Sequence, residues 1–174
     1  MLLLQQDTIP LTCIIILWQT ARMQTDYTQL CAMLSALVEG EDHTVPNMAN
    51  AAALLWQQLP DINWAGFYTM EDGYLLLGPF QGKPACIRIP AGKGVCGTAA
   101  QQDKTQLIQN VHEFPGHIAC DSASNSEIVV PLHNSSGAVI GVLDIDSPLL
   151  SRFTESDQTG LEQFARIIEK SCLR

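Results

Sequence analysis

The sequence predicts an α+β domain, a central antiparallel sheet with helices packed on it. Three observations carry that reading. The strand patterns come as hairpin pairs around turn signals, which favours antiparallel pairing. The helical patterns gather towards the two ends of the chain, so helices pack on the sheet rather than alternate with its strands. Length and composition, 174 residues with 47% apolar and 16% charged, suit one folded domain with a real core and exclude a disordered, collagenous or coiled-coil chain.

Taken in order, Tyr27, Leu30, Cys31, Leu34, Leu37 and Val38 follow the i, i+3, i+4, i+7 rule and predict an amphipathic helix over 23–38, ended by Gly40. A second helix spans 46–59, with Pro46 in its first turn, Ala49, Ala52, Ala53 and Trp56 on one side, and Pro60 as its stop. The aromatic run Ile62 to Met70, the Glu71-Asp72-Gly73 turn and the run Tyr74 to Leu77 read as a hairpin. Cys86 to Pro90 is a short extended piece, and the glycine-rich turn Ala91 to Gly97 opens a short helix to about Gln102. Thr105 to Gln109 is a short strand. Residues 110–126 form a long polar loop, and such loops inside a compact domain are often functional. Glu127 to His133 and Ala138 to Ile145 are strands around the turn Asn134-Ser135-Ser136-Gly137. Thr154-Glu155-Ser156-Asp157 is a capping box, and Leu161, Phe164, Ala165 and Ile168 mark the last helix.

Residues 1–22 stand apart from this order. They read equally as an N-terminal extension and as a stretch upstream of a natural start at Met23. Their apolar run Leu11 to Trp18 is too short to cross a bilayer, and no Lys or Arg precedes it, so no signal peptide is expected. With a net charge of −9, the chain lacks the basic footprint of a nucleic-acid binder and would be repelled by an anionic membrane. A cytoplasmic protein is expected.

The six cysteines divide by neighbourhood. Cys13, Cys31 and Cys172 lie in apolar runs or amphipathic helices, where cysteine is a small buried hydrophobe. Cys86, Cys96 and Cys120 lie at strand ends or in loops beside Gly, Lys, Arg, Asp or His, surroundings that leave a thiol partly exposed and lower its pKa. Redox chemistry, metal binding and chance are the alternatives. His112, His117 and Cys120 with Cys86 and Cys96 offer enough zinc ligands, but the C-x2–4-C pair usual in structural zinc sites is missing. No metal and no cofactor are expected. Asp144 and Asp146 share one face of a strand, and Glu127 opens its neighbour. They are either a strand end surfacing into solvent or the acidic wall of a pocket for an ammonium group or a proton-donating carboxyl. Trp64 and Tyr68 also share a face, as core or as a half-open wall for a methyl or thioether group. Gly92-x-Gly94-x-x-Gly97 imitates a dinucleotide fingerprint but lacks its βαβ setting.

Several ordered motifs resemble one family. Ile62-Asn63-Trp64-Ala65-Gly66-Phe67-Tyr68, Leu77-Gly78-Pro79-Phe80-Gln81-Gly82-Lys83, Gly94-Val95-Cys96-Gly97-Thr98-Ala99, Gly116-His117-Ile118-Ala119-Cys120-Asp121, Ser124-Asn125-Ser126-Glu127-Ile128-Val129 and Gly141-Val142-Leu143-Asp144-Ile145-Asp146-Ser147 resemble the free methionine-(R)-sulfoxide reductases, single GAF-domain enzymes. The resemblance covers 23–174 and implies a GAF-like fold and reduction of free methionine (R)-sulfoxide. It implies Cys120 as the nucleophile, Cys86 as the main resolving cysteine and Cys96 as its alternative. It places Glu127, Asp144 and Asp146 around the substrate, with Trp64 and Tyr68 as an aromatic box for its methyl group. Thioredoxin as reductant and a homodimer are further implications. Which carboxyl gives the proton stays open. The competing reading is a non-catalytic GAF module that binds a small ligand or senses redox state, and the signature cysteines argue against it.

Overall fold

The computed structural model describes residues 25–118 and 121–172. The two readings of residues 1–22 therefore lie outside the described residues. In chain order come α1 (Tyr27–Leu37), α2 (Thr44–Gln58), β1 (Trp64–Glu71), β2 (Tyr74–Gly82), β3 (Arg88–Pro90), α3 (Gly94–Gln102), β4 (Gln106–Ile108), a 3-10 turn (Val111–Glu113), β5 (Ser126–His133), β6 (Val139–Ser147) and α4 (Glu155–Cys172). The strands form one sheet in the order β3-β2-β1-β6-β5-β4, and every neighbouring pair is antiparallel. This is the expected α+β arrangement.

The turns obey their local chemistry. Asp72 (φ 48°) and Gly73 (φ 81°) both take the left-handed conformation that a tight hairpin turn requires. Between β5 and β6, Asn134 Oδ1 accepts from the backbone N–H of Ser136 and Ala138, each at 3.0 Å. Helix α1 begins at Tyr27, later than Met23, because Asp26 caps it by accepting from Gln29 N at 3.0 Å. Helix α2 begins at Thr44, which leaves Pro46 in the first turn, where backbone N–H groups lack helical partners anyway. At α4 the Thr154 N–H and Oγ1 donate to Asp157 Oδ2 at 2.8 and 2.7 Å, so the capping box forms as expected.

Strand β2 runs past Leu77 to Gly82. Gly66 pairs with Phe80 and Tyr68 with Leu77, so two residues of β2, Gly78 and Pro79, stand opposite the single Phe67. A bulge tolerates a proline with no N–H to give, and it breaks the alternation by which the rest of the strand would be recognised.

The sheet is covered on both faces. Ala65, Phe67, Ile128, Val130, Leu132, Leu143 and Ile145 point to one face and form the larger core with Leu34, Leu55, Leu161 and Phe164 of α1, α2 and α4. Tyr27 OH donates to Asp157 Oδ1 at 2.7 Å, and its ring lies so close to Gly160 that a Cβ there would sit 2.0 Å from Tyr27 Cγ. The other face carries Trp64, Tyr68, Val129 and Val142, packed against Val95, Cys96, Ala99 and Ala100 of α3. That second face also holds Glu127, Asp144 and Asp146, because side chains alternate along β5 and β6. Among the described residues no helix is long and apolar enough to cross a membrane.

Candidate active site

Register decides which polar groups meet. Glu127 stands directly opposite Asp146 across β5 and β6. On the other side of β6, Asp146 faces Trp64 and Asp144 faces Gly66. Helix α3 crosses above them and brings Cys96 down onto the pair, with Sγ 3.7 Å from Glu127 Oε1. Two glycines permit close packing around the site. A Cβ at Gly97 would meet Pro90 O at 2.5 Å, and one at Gly66 would meet Phe80 Cβ at 2.4 Å. The long loop closes the top, with His117 Nε2 3.9 Å from Glu127 Oε2. Together these groups line a small cavity of about 30 Å³ with Lys93, Asp121 and Asp146 on its walls. That is room for a water molecule or an ion.

Burial and like charge dominate the electrostatics. Burial pushes the Glu127 carboxyl well above the usual carboxylate range, and the charges of Asp144 and Asp146 add to the effect. Burial raises Asp144 to about 7, while hydrogen bonds with Cys96 and Glu127 hold it back. Asp146 is raised well up by burial and then by Asp144. Such a cluster keeps a proton at neutral pH because its carboxyls cannot all ionise together. Asp144 Oδ1 is buried with no hydrogen-bond partner. At the rim, Asp121 behaves in the opposite way. The Ala123 N–H at 2.9 Å, then Lys83, lower its pKa. Lys83 Nζ sits 3.1 Å from Asp121 Oδ2, and Asn63 Nδ2 donates to the same oxygen at 3.3 Å. Asp121 therefore stays ionised while the inner carboxyls compete for protons.

Trp64 and Tyr68 lie together as their spacing implies, ring centroids 5.8 Å apart, and Phe80 also stacks with Trp64 at 5.3 Å. The half-open wall does not form in this state. Trp64 is 3% and Tyr68 1% exposed, and Trp64 Nε1 donates to Lys83 O at 3.1 Å. Burial and then the Asp144 charge push the Tyr68 phenol upwards, so it stays neutral.

The cysteines need one correction. Cys96 was expected to be partly exposed with a lowered pKa, but it is 5% exposed. Burial, then Asp144 and Glu127, push its thiol well up. Its position on the inner face of α3, which the short glycine-rich helix pattern did not reveal, is the reason. Cys86 is disulfide-bonded, whereas Cys31, Cys96 and Cys172 are free. Cys13 and Cys120 lie outside the described residues.

His117, Asp121 and Ser124 also line the cavity, and Phe80 completes the aromatic stack. Sequence reading weighed His117 only as a zinc ligand and gave Asp121, Ser124 and Phe80 no site role, although the unusual length of the loop pointed to His117 and Asp121. His112 goes elsewhere, its Nε2 lying 2.8 Å from Asn125 Oδ1. The zinc set considered from sequence is thus split between the cavity and the surface.

Comparison with known proteins fits this geometry. The GAF domain model matches residues 44–171. The chain is 55% identical over 144 residues to the free methionine-R-sulfoxide reductase of Escherichia coli, covering 83% of this chain and 87% of that one. It is 46% identical over 152 residues to the enzyme of the same name from Saccharomyces cerevisiae, covering 83% of this chain and 84% of the other. The solved structure of the reduced form of fRMsr from Staphylococcus aureus superimposes with a TM-score of 0.83 at 50% identity, over 86% of this chain and 96% of that one. With the fold, the site and these likenesses in agreement, the chain belongs to the GAF-domain family of free methionine-(R)-sulfoxide reductases.

Proposed function

We propose that this chain reduces free L-methionine (R)-S-oxide to L-methionine. The observation that carries the reading is the enclosed acidic floor of Glu127, Asp144 and Asp146 beside the Trp64–Tyr68 stack. The floor suits a substrate ammonium and keeps a proton for a leaving oxygen, and the aromatic rings suit a methyl group.

In the proposed cycle the Cys120 thiolate attacks the sulfoxide sulfur. The sulfoxide oxygen takes a proton from the carboxyl cluster and passes to Cys120, so methionine leaves and a sulfenic acid remains. The Cys86 thiol then displaces water from the sulfenic acid and forms a disulfide. Thioredoxin, a dithiol, takes over the disulfide by exchange and frees both cysteines. Cys96 is the alternative partner for Cys120. Its burial and raised pKa support a slower role than that of Cys86. The family resemblance supports a homodimer working in the cytoplasm.

The test is NADPH oxidation through thioredoxin and thioredoxin reductase with the separated epimers of free methionine sulfoxide. Turnover with the R epimer and none with the S epimer is expected. Binding without turnover would replace the enzyme with a ligand-sensing module.

A further inference from the structure

We propose that the cavity is also a binding site for a thiophilic divalent cation of the Zn²⁺ class, held by Cys96 Sγ, His117 Nε2 and carboxylate oxygens of Glu127 and Asp144. The Cys96 sulfur and the oxygens of Glu127 and Asp144 all lie within 4.8 Å of one another. Cys96 Sγ is 3.7 Å from Glu127 Oε1, and His117 Nε2 is 3.9 Å from Glu127 Oε2. A tetrahedral zinc ion with bonds of about 2.0–2.3 Å holds its ligands about 3.3–3.6 Å apart. The Cys96–Glu127 and His117–Glu127 separations exceed that spacing by a few tenths of an ångström, and the other donors of the cluster, up to 4.8 Å apart, draw in further when the ion binds.

A second observation points the same way. Asp144 is 6% exposed, lines the cavity, and has one oxygen, Oδ1, without a hydrogen-bond partner. A buried polar atom left unpaired is costly, and a cation removes that cost. The volume of about 30 Å³ accommodates an ion, and thiolate with imidazole selects zinc-like ions over magnesium or calcium. When the ion binds, the Cys96 thiol and the Glu127–Asp144 pair give up their protons to solvent and sulfur–metal and oxygen–metal bonds form, with nothing oxidised or reduced. This donor set differs from the cysteine–histidine pattern weighed from sequence, since two carboxylates stand where His112, Cys86 and Cys120 were considered. One consequence rests on the proposed function: the ion occupies the acidic floor and competes with the sulfoxide.

The test titrates CoCl₂ into the full chain in its disulfide form, where Cys86 is no free thiolate. The readout is the near-ultraviolet thiolate-to-cobalt absorption. One equivalent should saturate the band, and ZnCl₂ should displace it. Cys96→Ser should abolish the band, while Cys31→Ser and Cys172→Ser leave it intact. His117→Ala, a loop change that spares α3, should weaken affinity at least tenfold. A missing band, a band surviving Cys96→Ser, or unchanged affinity in His117→Ala would overturn the proposal. With the reduced enzyme, Zn²⁺ should raise KM and leave kcat unchanged. Cobalt binding through Cys96 in a chain that reduces no sulfoxide would keep the metal site and remove the reductase reading. Sulfoxide turnover in a chain without the band would do the reverse.

Discussion

Glu127 and Asp144 hydrogen-bond each other in a buried setting, so they titrate as a pair and one proton stays between them near neutrality. If that proton goes to the leaving oxygen, kcat falls as pH rises through the upper pKa of the pair, because the acid form is spent. Asp144→Asn keeps the size and removes the like charge that helps raise Glu127. We expect kcat to drop by about 10²-fold, the usual scale of general acid catalysis, and the alkaline limb of the pH profile to move to lower pH. Steady-state kinetics between pH 6 and 9 decide this. A loss confined to KM would assign the pair to binding alone. The cysteines allow a second test of the cycle. Cys120→Ser should release no methionine in a single turnover with reduced protein. Cys86→Ser should release about one equivalent and stall as a sulfenic acid that dimedone traps. A normal burst from Cys120→Ser would remove the nucleophile assignment.

At the scale of elements, His133 at the end of β5 ties the sheet to two helices. Its Nδ1 lies 2.8 Å from Glu169 Oε1 on α4, and its Nε2 lies 2.7 Å from Asp103 Oδ1, the residue capping α3. Lys104, Glu162 and Arg166 line the same surface groove. Burial lowers the His133 pKa, but the hydrogen bonds to Asp103 and Glu169 outweigh it, so the net shift is upward. A raised pKa means that the protonated ring stabilises the fold fully below the unfolded value near 6.5, and that this is lost as pH rises through the folded value. The side chain is 33% exposed, so solvent screening leaves about 0.2–1 kcal/mol. His133→Ala should therefore lower Tm by about 1–3 °C more at pH 6 than at pH 9, as thermal melts at the two pH values would read. An equal loss at both would show that packing, not charge, is what His133 supplies. Elements with a clean period were legible in the sequence. The Asp72-Gly73 hairpin, the Thr154 cap and the Glu127, Asp144, Asp146 face all follow from local rules. What was not legible depends on long-range contact. The far half of β2 is hidden by its bulge, Cys96 turns inward because α3 lies on the sheet, and His117 gains a role because its loop folds over Glu127.

At the scale of the whole molecule, the two faces of the sheet divide the labour. The face under α1, α2 and α4 holds the larger core, and the face under α3 and the long loop carries the polar cluster. The site is therefore lined by strand, α3 and loop residues of the chain itself. In the state described, with Cys86 in a disulfide, its cavity measures about 30 Å³. A free amino acid of about ten heavy atoms is already far larger than the water that fits there. If this cavity takes the proposed substrate, the roof side chains of His117, Ile118 and Asp121 must move aside, and a polypeptide continuing from both ends of the residue would keep them from closing again. In the proposed function, Glu127, Asp144 and Asp146 meet the substrate ammonium out of contact with bulk water, and the ammonium is their partner. N-acetylation removes that charge and adds bulk at the same point, leaving buried polar groups unpaired, a defect that costs a hydrogen-bonding site as much as 10⁴-fold in discrimination. We expect kcat/KM for N-acetyl-methionine (R)-sulfoxide to be lower than for the free amino acid by at least 10²-fold. Sulfoxide in a peptide should be reduced more slowly still. Competition between free and acetylated substrate in one tube, read by chromatography of the methionine products, measures the ratio directly. A ratio near unity would mean that the roof stays open during reduction and that the acidic floor does not read the ammonium group.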